Sequence, residues 1–145
     1  MFQHILVATD GSLLSEAAVD KAMNFAREAG AKVTVVTATE PFHVLATDSK
    51  QLAETKDTYE RVVKAEAARY LGEAERKAKA QGVQCHVLQV EHEHPYKAII
   101  EAAKKYGCDL IAMASHGRRG VSALVIGSVT TKVLTHSSIP VLVYR

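Results

Sequence analysis

Apolar and polar positions along the chain alternate between two rhythms: short runs of apolar, β-branched residues, and longer stretches where apolar residues recur every three or four positions. The first rhythm predicts strands buried on both faces and the second predicts amphipathic helices. Their alternation is that of βαβ units around a parallel sheet. Phe2 to Ala8 reads as a first strand, and Leu14, Ala18, Ala22, Phe25, Ala26 and Ala29 then keep helical spacing until Gly30 closes the helix. Lys32 to Ala38, rich in Val and Thr, is a second strand. Pro41 to Leu52 shows no period and is the one long connection, a candidate flap near the carboxyl edge of the sheet.

A long helix follows from about Thr55 to Ala80, with Tyr59, Val62, Val63, Tyr70, Leu71, Ala74 and Ala78 on one face. Its other face carries Glu60/Lys64, Glu73/Lys77 and Glu75/Lys79 at i,i+4, which supports a solvated surface rather than a binding patch. Gln84 to Val90 is the third strand, and Pro95 opens a helix that buries Ile99, Ile100 and Ala103 before Gly107. Asp109 to Ala114 is the fourth strand, a short helix runs from about Ser128 to Thr135, and Pro140 precedes the fifth strand, Val141 to Tyr144. This pattern predicts one domain over residues 1–145, an α/β doubly wound five-stranded parallel sheet. In such sheets ligands bind beyond the carboxyl ends of the strands, where the strand order reverses.

Composition narrows the partners. With 145 residues the chain can bury a core without staples. Cys85 and Cys108 both sit in or beside apolar strand candidates, so they read as small core residues of a reducing compartment. A net charge of +2, spread among mixed signs with few aromatics, argues against nucleic acid. No stretch is long and apolar enough to span a bilayer, and the opening Met1-Phe2-Gln3-His4 lacks the basic start of a secretory leader. The expectation is a cytoplasmic protein without membrane partners.

Candidate chemistry concentrates after the fourth strand, in Met113-Ala114-Ser115-His116-Gly117-Arg118-Arg119-Gly120, then Val121 to Ile126, then Gly127-Ser128. A small-residue loop between strand and helix lets backbone N–H groups surround an anion, and a phosphate is the natural guest. At Gly127-Ser128 the unpaired first-turn amides and the positive end of the helix dipole would face it, with the Ser128 hydroxyl as a further donor. The plainer alternative makes Ser128 an N-cap and the glycines turn residues. Arg118 and Arg119 offer charge-assisted hydrogen bonds to phosphate, or are solvated loop residues. After the first strand, Thr9-Asp10-Gly11-Ser12 faces the same crevice if strands one and four are neighbours. Asp10 would then accept hydrogen bonds from a ribose, or else close an Asx turn.

Other chemistries fit less well. There is no G-K-[ST] after strand one, and Gly11 alone does not make a dinucleotide fingerprint. His116 is the only nearby candidate base and is more simply a structural loop histidine, so turnover is expected to be at most slow hydrolysis. Glu91-His92-Glu93-His94 places two imidazoles and two carboxylates together, but with no cysteine or downstream histidine at finger-like spacing it is not read as a metal site.

The stretch Ala114-Ser115-His116-Gly117, nine residues Arg118 to Ile126, then Gly127-Ser128 resembles the G-x2-G-x9-G-[ST] motif of nucleotide-binding universal stress proteins. The resemblance extends to Thr9-Asp10-Gly11-Ser12, to Val129-Thr130-Thr131-Lys132-Val133-Leu134 and to the closing Ile139-Pro140-Val141-Leu142-Val143, so it runs from end to end. It implies a Rossmann-like, adenine-nucleotide-binding sheet of order 3-2-1-4-5 with ATP at the switch point and Mg or Mn held through the phosphates. By the same resemblance Asp10 contacts ribose, and backbone at Ala8, Thr9, Ala38 and Met113 frames adenine. Ala114, Ser115, His116, Gly117, Arg118, Arg119 and Gly120, with the amides of Gly127, Ser128 and Val129, hold the triphosphate.

The resemblance further implies a homodimer through the fifth strand and a regulatory role toward a protein partner that the sequence does not name. An apolar terminal strand at a sheet edge has a physical motive to pair in any case. Ala114 replaces the first glycine of the motif, and Ala8 stands where nucleotide-binding relatives often have Pro. If position 114 needs φ > 0 the methyl costs affinity; in ordinary strand geometry it costs little. The alternative function is a nucleotide-free dimeric interaction module.

Overall fold

The computed structural model describes residues 1–43, 49–117 and 125–145, with only the backbone of 49–51. Its elements run β1 (His4–Ala8), α1 (Leu13–Ala29), β2 (Lys32–Thr39), α2 (Ser49–Gln81), β3 (Cys85–Glu91), α3 (Pro95–Lys105), β4 (Leu110–Ala114), α4 (Ser128–His136) and β5 (Val141–Tyr144). The strands form one sheet in the order β3-β2-β1-β4-β5, every neighbouring pair parallel. The order reverses between β1 and β4, so the loops that leave these two strands diverge and open a crevice at their carboxyl ends.

Every residue of the central strand β1 is buried, which is why it reads as a continuous apolar run rather than an alternation. Ile5 and Val7 point into one core with Val19, Met23, Leu71 and Ala74 of α1 and α2. Leu6 and Ala8 point into the other, with Ile99, Ile100, Ala103 and Val133 of α3 and α4. Cys85 packs against the first core and Cys108 belongs to the second, so the sheet separates them. Both are free thiols, and burial pushes each up to about 11, outside the range of a reactive thiolate.

The elements depart from the sequence reading in informative places. β1 starts at His4 rather than Phe2 because the Asp109 carboxylate accepts the N–H groups of Gln3 (2.9 Å) and His4 (3.0 Å), and β4 correspondingly starts after Asp109. α2 starts at Ser49, six residues before the expected Thr55, and takes in the end of the proposed flap. From Leu52 to Glu66 it buries no side chain, and without a buried face there is no period to read. Val62, expected on the apolar face, is 54% exposed. Lys77 pairs not with Glu73 but with Glu16 and Asp20 of α1, at 3.1 Å each. Among the described residues, no helix is long and apolar enough to cross a membrane.

Candidate functional site

One wall of the crevice is the exit of β1. Thr9 prolongs the ladder by donating its N–H to Val36 O (3.0 Å), and its own carbonyl accepts the Thr37 hydroxyl (3.1 Å). The Thr9 hydroxyl lies 2.7 Å from Ser15 Oγ and accepts the Gly11 N–H at 3.2 Å. Ser12 caps α1 by accepting the Ser15 N–H. Asp10 Oδ1 accepts the Ser12 N–H at 3.0 Å, an Asx turn, while Oδ2 lies so close to Gly117 that a Cβ there would overlap it. Asp10 thus closes an Asx turn, which orients the carboxylate so that its second oxygen faces the opposite loop. Gly11 has φ +78° and lies directly under the Tyr70 ring of α2, so both its conformation and its lack of a side chain are required.

The opposite wall is the exit of β4. Ser115 is buried and sewn in by its backbone, its N–H donated to Tyr144 O and its carbonyl accepting the Gly127 N–H, each at 2.7 Å. The Thr130 hydroxyl donates to Ala114 O at 2.8 Å. These bonds dock the first turn of α4 onto the strand end. Gly127, not Ser128, is the N-cap, which removes the plain-cap reading of Ser128. A Cβ on Gly127 would lie 3.2 Å from Ser115 O and 3.3 Å from His116 Cα. Close approach, rather than a special φ, is what demands glycine here.

The amide expectations change accordingly. The Gly127 N–H, expected to face a ligand, is donated to Ser115. The first bond within α4 is Thr131 N–H to Gly127 O, so the amides of Ser128, Val129 and Thr130 precede the intrahelical ladder. Ala114 is an ordinary strand residue opposite Tyr144, and no non-glycine among the described residues has positive φ. Its methyl thus carries no backbone strain.

Between these walls lies a cavity of about 480 Å³, lined among others by Ala8, Thr9, Asp10, Ala38, Met113, Ala114, His116, Gly117, Gly127, Ser128 and Val129. Its volume falls within the usual span for small-molecule sites, roughly 300–1,000 Å³. Ser115 stands behind the wall, with its hydroxyl 2.9 Å from His116 Nδ1. His116 Nε2 is buried and makes no hydrogen bond among the described residues. Arg118, Arg119 and Gly120 lie outside the described residues.

The sequence model of the Universal stress protein family matches this chain over residues 1–145. The chain belongs to the universal stress protein family. It is 32% identical to the universal stress protein YxiE of Bacillus subtilis over 149 residues, covering 100% of both chains. It superposes on the solved structure of MJ0577 with a TM-score of 0.85 at 24% identity, covering 99% of this chain and 95% of that one, a likeness of fold. MJ0577 is a universal stress protein of Methanocaldococcus jannaschii. A universal stress protein solved in complex with cAMP is 28% identical, with a TM-score of 0.72 over 99% of this chain and 97% of that one.

Several wall residues were not anticipated from the sequence: Val36 and Ile99 in the floor, Ser15 and Thr130 at the loops, and Glu40, Glu93, His94, Pro95, Tyr96 and Lys132 at the mouth. Two signals could have found some of them. Val36 shares a strand face with Ala38, and Pro95 marks the carboxyl end of β3, which a parallel sheet must place on the crevice edge.

The Glu91–His94 run serves this rim. His92 Nδ1 accepts the His94 N–H at 2.8 Å, and His92 Nε2 lies 3.8 Å from Glu101. His43, with no sequence reason to be near, lies 3.6 Å from Glu93. Among the described residues, no group of three or more His, Cys, Asp or Glu is arranged to hold a metal. The flap candidate is only partly covered. Tyr59 of α2 donates to Glu40 O at 2.8 Å and meets the Phe42 ring at 5.5 Å, while residues 44–48 lie outside the described residues.

Proposed function

We propose that this universal stress protein binds ATP and acts as a cytoplasmic, dimeric regulatory module whose nucleotide state alters what it docks against. One observation carries the reading: the Asp10 carboxylate and the amino end of α4 face one crevice from opposite sides, with Gly117 packed between them. The residues fit the nucleotide. Asp10 would accept the ribose hydroxyls, while the Ser128 and Val129 amides, with the helix dipole, would hold phosphate oxygens. Ala114 offers strand geometry, so its methyl adds no backbone strain to binding. Mg or Mn would be bound through the phosphates and water. The cAMP complex of a relative at 28% identity supports an adenine nucleotide.

The dimer reading rests on β5. Its four residues are only partly covered, and among the described residues it ends the sheet with an unpaired edge, which a second copy's β5 would satisfy. The test is calorimetric titration of magnesium ATP into nucleotide-stripped protein, with sedimentation to read the assembly. Micromolar binding at about one site per chain is expected. Absence of binding both by heat and by equilibrium dialysis with labelled ATP would overturn the nucleotide role and leave a ligand-free interaction module. A sedimenting monomer would overturn the dimer.

A further inference from the structure

At the edge of the sheet opposite the crevice, a second cavity of about 360 Å³ lies at the amino ends of β1, β2 and β3. Strand alternation places His4, Lys32, Thr34 and His86 on the face that carries Leu6, Val36 and Leu88, the one packed by α3 and α4. They stand there as two cross-strand pairs, His4 beside Lys32 and Thr34 beside His86. α3 ends at Lys105, and Tyr106 after it meets the His86 ring at 5.5 Å. The helix layer therefore walls this corner from one side instead of filling it.

The lining is one-sided in charge. Lys32, His86 and His4 supply cationic or titratable nitrogens, and among the described residues no carboxylate lines the cavity. The Lys105 ammonium, 5.7 Å from the centre of the Tyr106 ring, adds a further positive charge behind that wall. The Asp109 carboxylate acts on His4 from outside the lining, where it accepts the backbone N–H groups of Gln3 and His4. At the end of α3 the carbonyls of Ala102, Ala103 and Lys104 accept the N–H groups of Tyr106, Cys108 and Gly107, so these acceptors are capped within the chain.

The floor couples charge to a proton. His4 and Thr34 are buried, His4 Nε2 lies 2.7 Å from Thr34 Oγ1, and the same ring bonds to the Tyr106 backbone. Burial first, and then the charge of Lys32, lower the pKa of His4; His86 acts in the same direction, and the Tyr106 bond and Asp109 act against it. When the ring is protonated both its nitrogens are donors. Nε2 must then donate to Thr34 Oγ1, and the Thr34 hydroxyl proton is left for another acceptor. An anion beside Lys32 would offset the charge that opposes this protonation and supply that acceptor.

We propose that this second cavity binds a small oxyanion, a phosphate or a carboxylate group, through Lys32, His86 and the Thr34 hydroxyl, with uptake of a proton from solvent at His4. The site stands apart from the crevice and does not depend on the nucleotide reading.

The test follows the ring NMR signals of His4 and His86 while inorganic phosphate or acetate is added at constant ionic strength, with chloride as the reference salt. Saturable shifts of both rings are expected with at least one oxyanion and not with chloride, and the titration midpoint of His4 should move upward at saturation. Saturation by phosphate alone would assign a phosphate group; saturation by both would assign oxyanions in general. Lys32→Met should weaken binding by about tenfold, the scale of one hydrogen bond to a charged group. Lys56→Met, on the exposed outer half of α2, should bind as wild type does. Unchanged circular dichroism and melting temperature would show that both variants fold. Shifts that grow in proportion to concentration, that chloride reproduces, or that keep full strength in Lys32→Met would overturn the site. Saturation that leaves the His4 midpoint in place would overturn the proton uptake.

Discussion

The two loops that face each other across the crevice are built in opposite ways. At the exit of β1, the side chains of Thr9, Asp10, Ser12 and Ser15 bond to one another and to the loop's backbone amides. Glu16 links this network to Lys77 on α2. At the exit of β4, Ser115 is held by backbone bonds to β5 and to the cap of α4, and His116 Nε2 is buried without a bond among the described residues. The first loop is tied together by its own side chains, which fixes where the Asp10 carboxylate stands. The second sets the first-turn amides of α4 ahead of the intrahelical ladder, where an anionic ligand would find donors.

Gly127→Val attacks the second loop where it is tightest, because a branched side chain would meet Ser115 O and His116 Cα. ATP affinity should fall by more than about a hundredfold, or ~2.8 kcal/mol, with far-UV circular dichroism unchanged. Equal affinity in that variant would remove the proposed phosphate site. Gly11→Ala attacks the first loop, where a Cβ must enter the Tyr70 ring at a positive φ. It should cost about 2 kcal/mol of stability from overpacking and backbone strain together, read as a lowered urea midpoint. A midpoint equal to wild type would show that this loop is not the rigid half.

A third experiment probes the far end of β1, as a control on both loops. His4 is buried and its Nε2 lies 2.7 Å from Thr34 Oγ1. Burial first, and then the charge of Lys32, lower its pKa below the ordinary 6.5. The unfolded chain therefore takes up this proton more readily, so the contribution is complete above the ordinary value and is lost as pH falls through the folded one. Urea unfolding across that window should show a decline that His4→Gln lacks; the same decline in the variant would assign it to another group. The smallest change is expected from Ala114→Gly. It should lose roughly 0.5–1 kcal/mol of stability, as glycine does within a strand, with ATP affinity shifted less than about threefold. A large gain in affinity would mean that the alanine methyl does obstruct the ligand.

Much of this was legible in the residues. The double rhythm of apolar positions placed all nine elements, because strands covered on both faces and helices covered on one leave different periods. Asp10, Gly117 and Gly127 could be singled out because a turn-forming carboxylate and side-chain-free positions, set where strands of a parallel sheet end, leave room and donors for a ligand. The start of α2 was not legible, since a helix that buries nothing carries no apolar period. Nor was the partner of Lys77, because i,i+4 spacing reports neighbours on one helix while the carboxylates of α1 reach the ammonium from another. The mouth of the crevice was missed for a similar reason. His94 and Tyr96 open α3 while Lys132 belongs to α4, and nothing local marks the two helices as neighbours at this edge.

By itself, the sequence determined the α/β class, the family and the two strand exits that matter, since these depend on local periodicity and on residues that tolerate few conformations. The tertiary structure alone decided that Gly127 donates its amide to Ser115, that Ala114 lies in unstrained strand geometry, and that Tyr96 lines the crevice. Each is a matter of which atoms meet through space, and packing sets that only after the whole chain has folded.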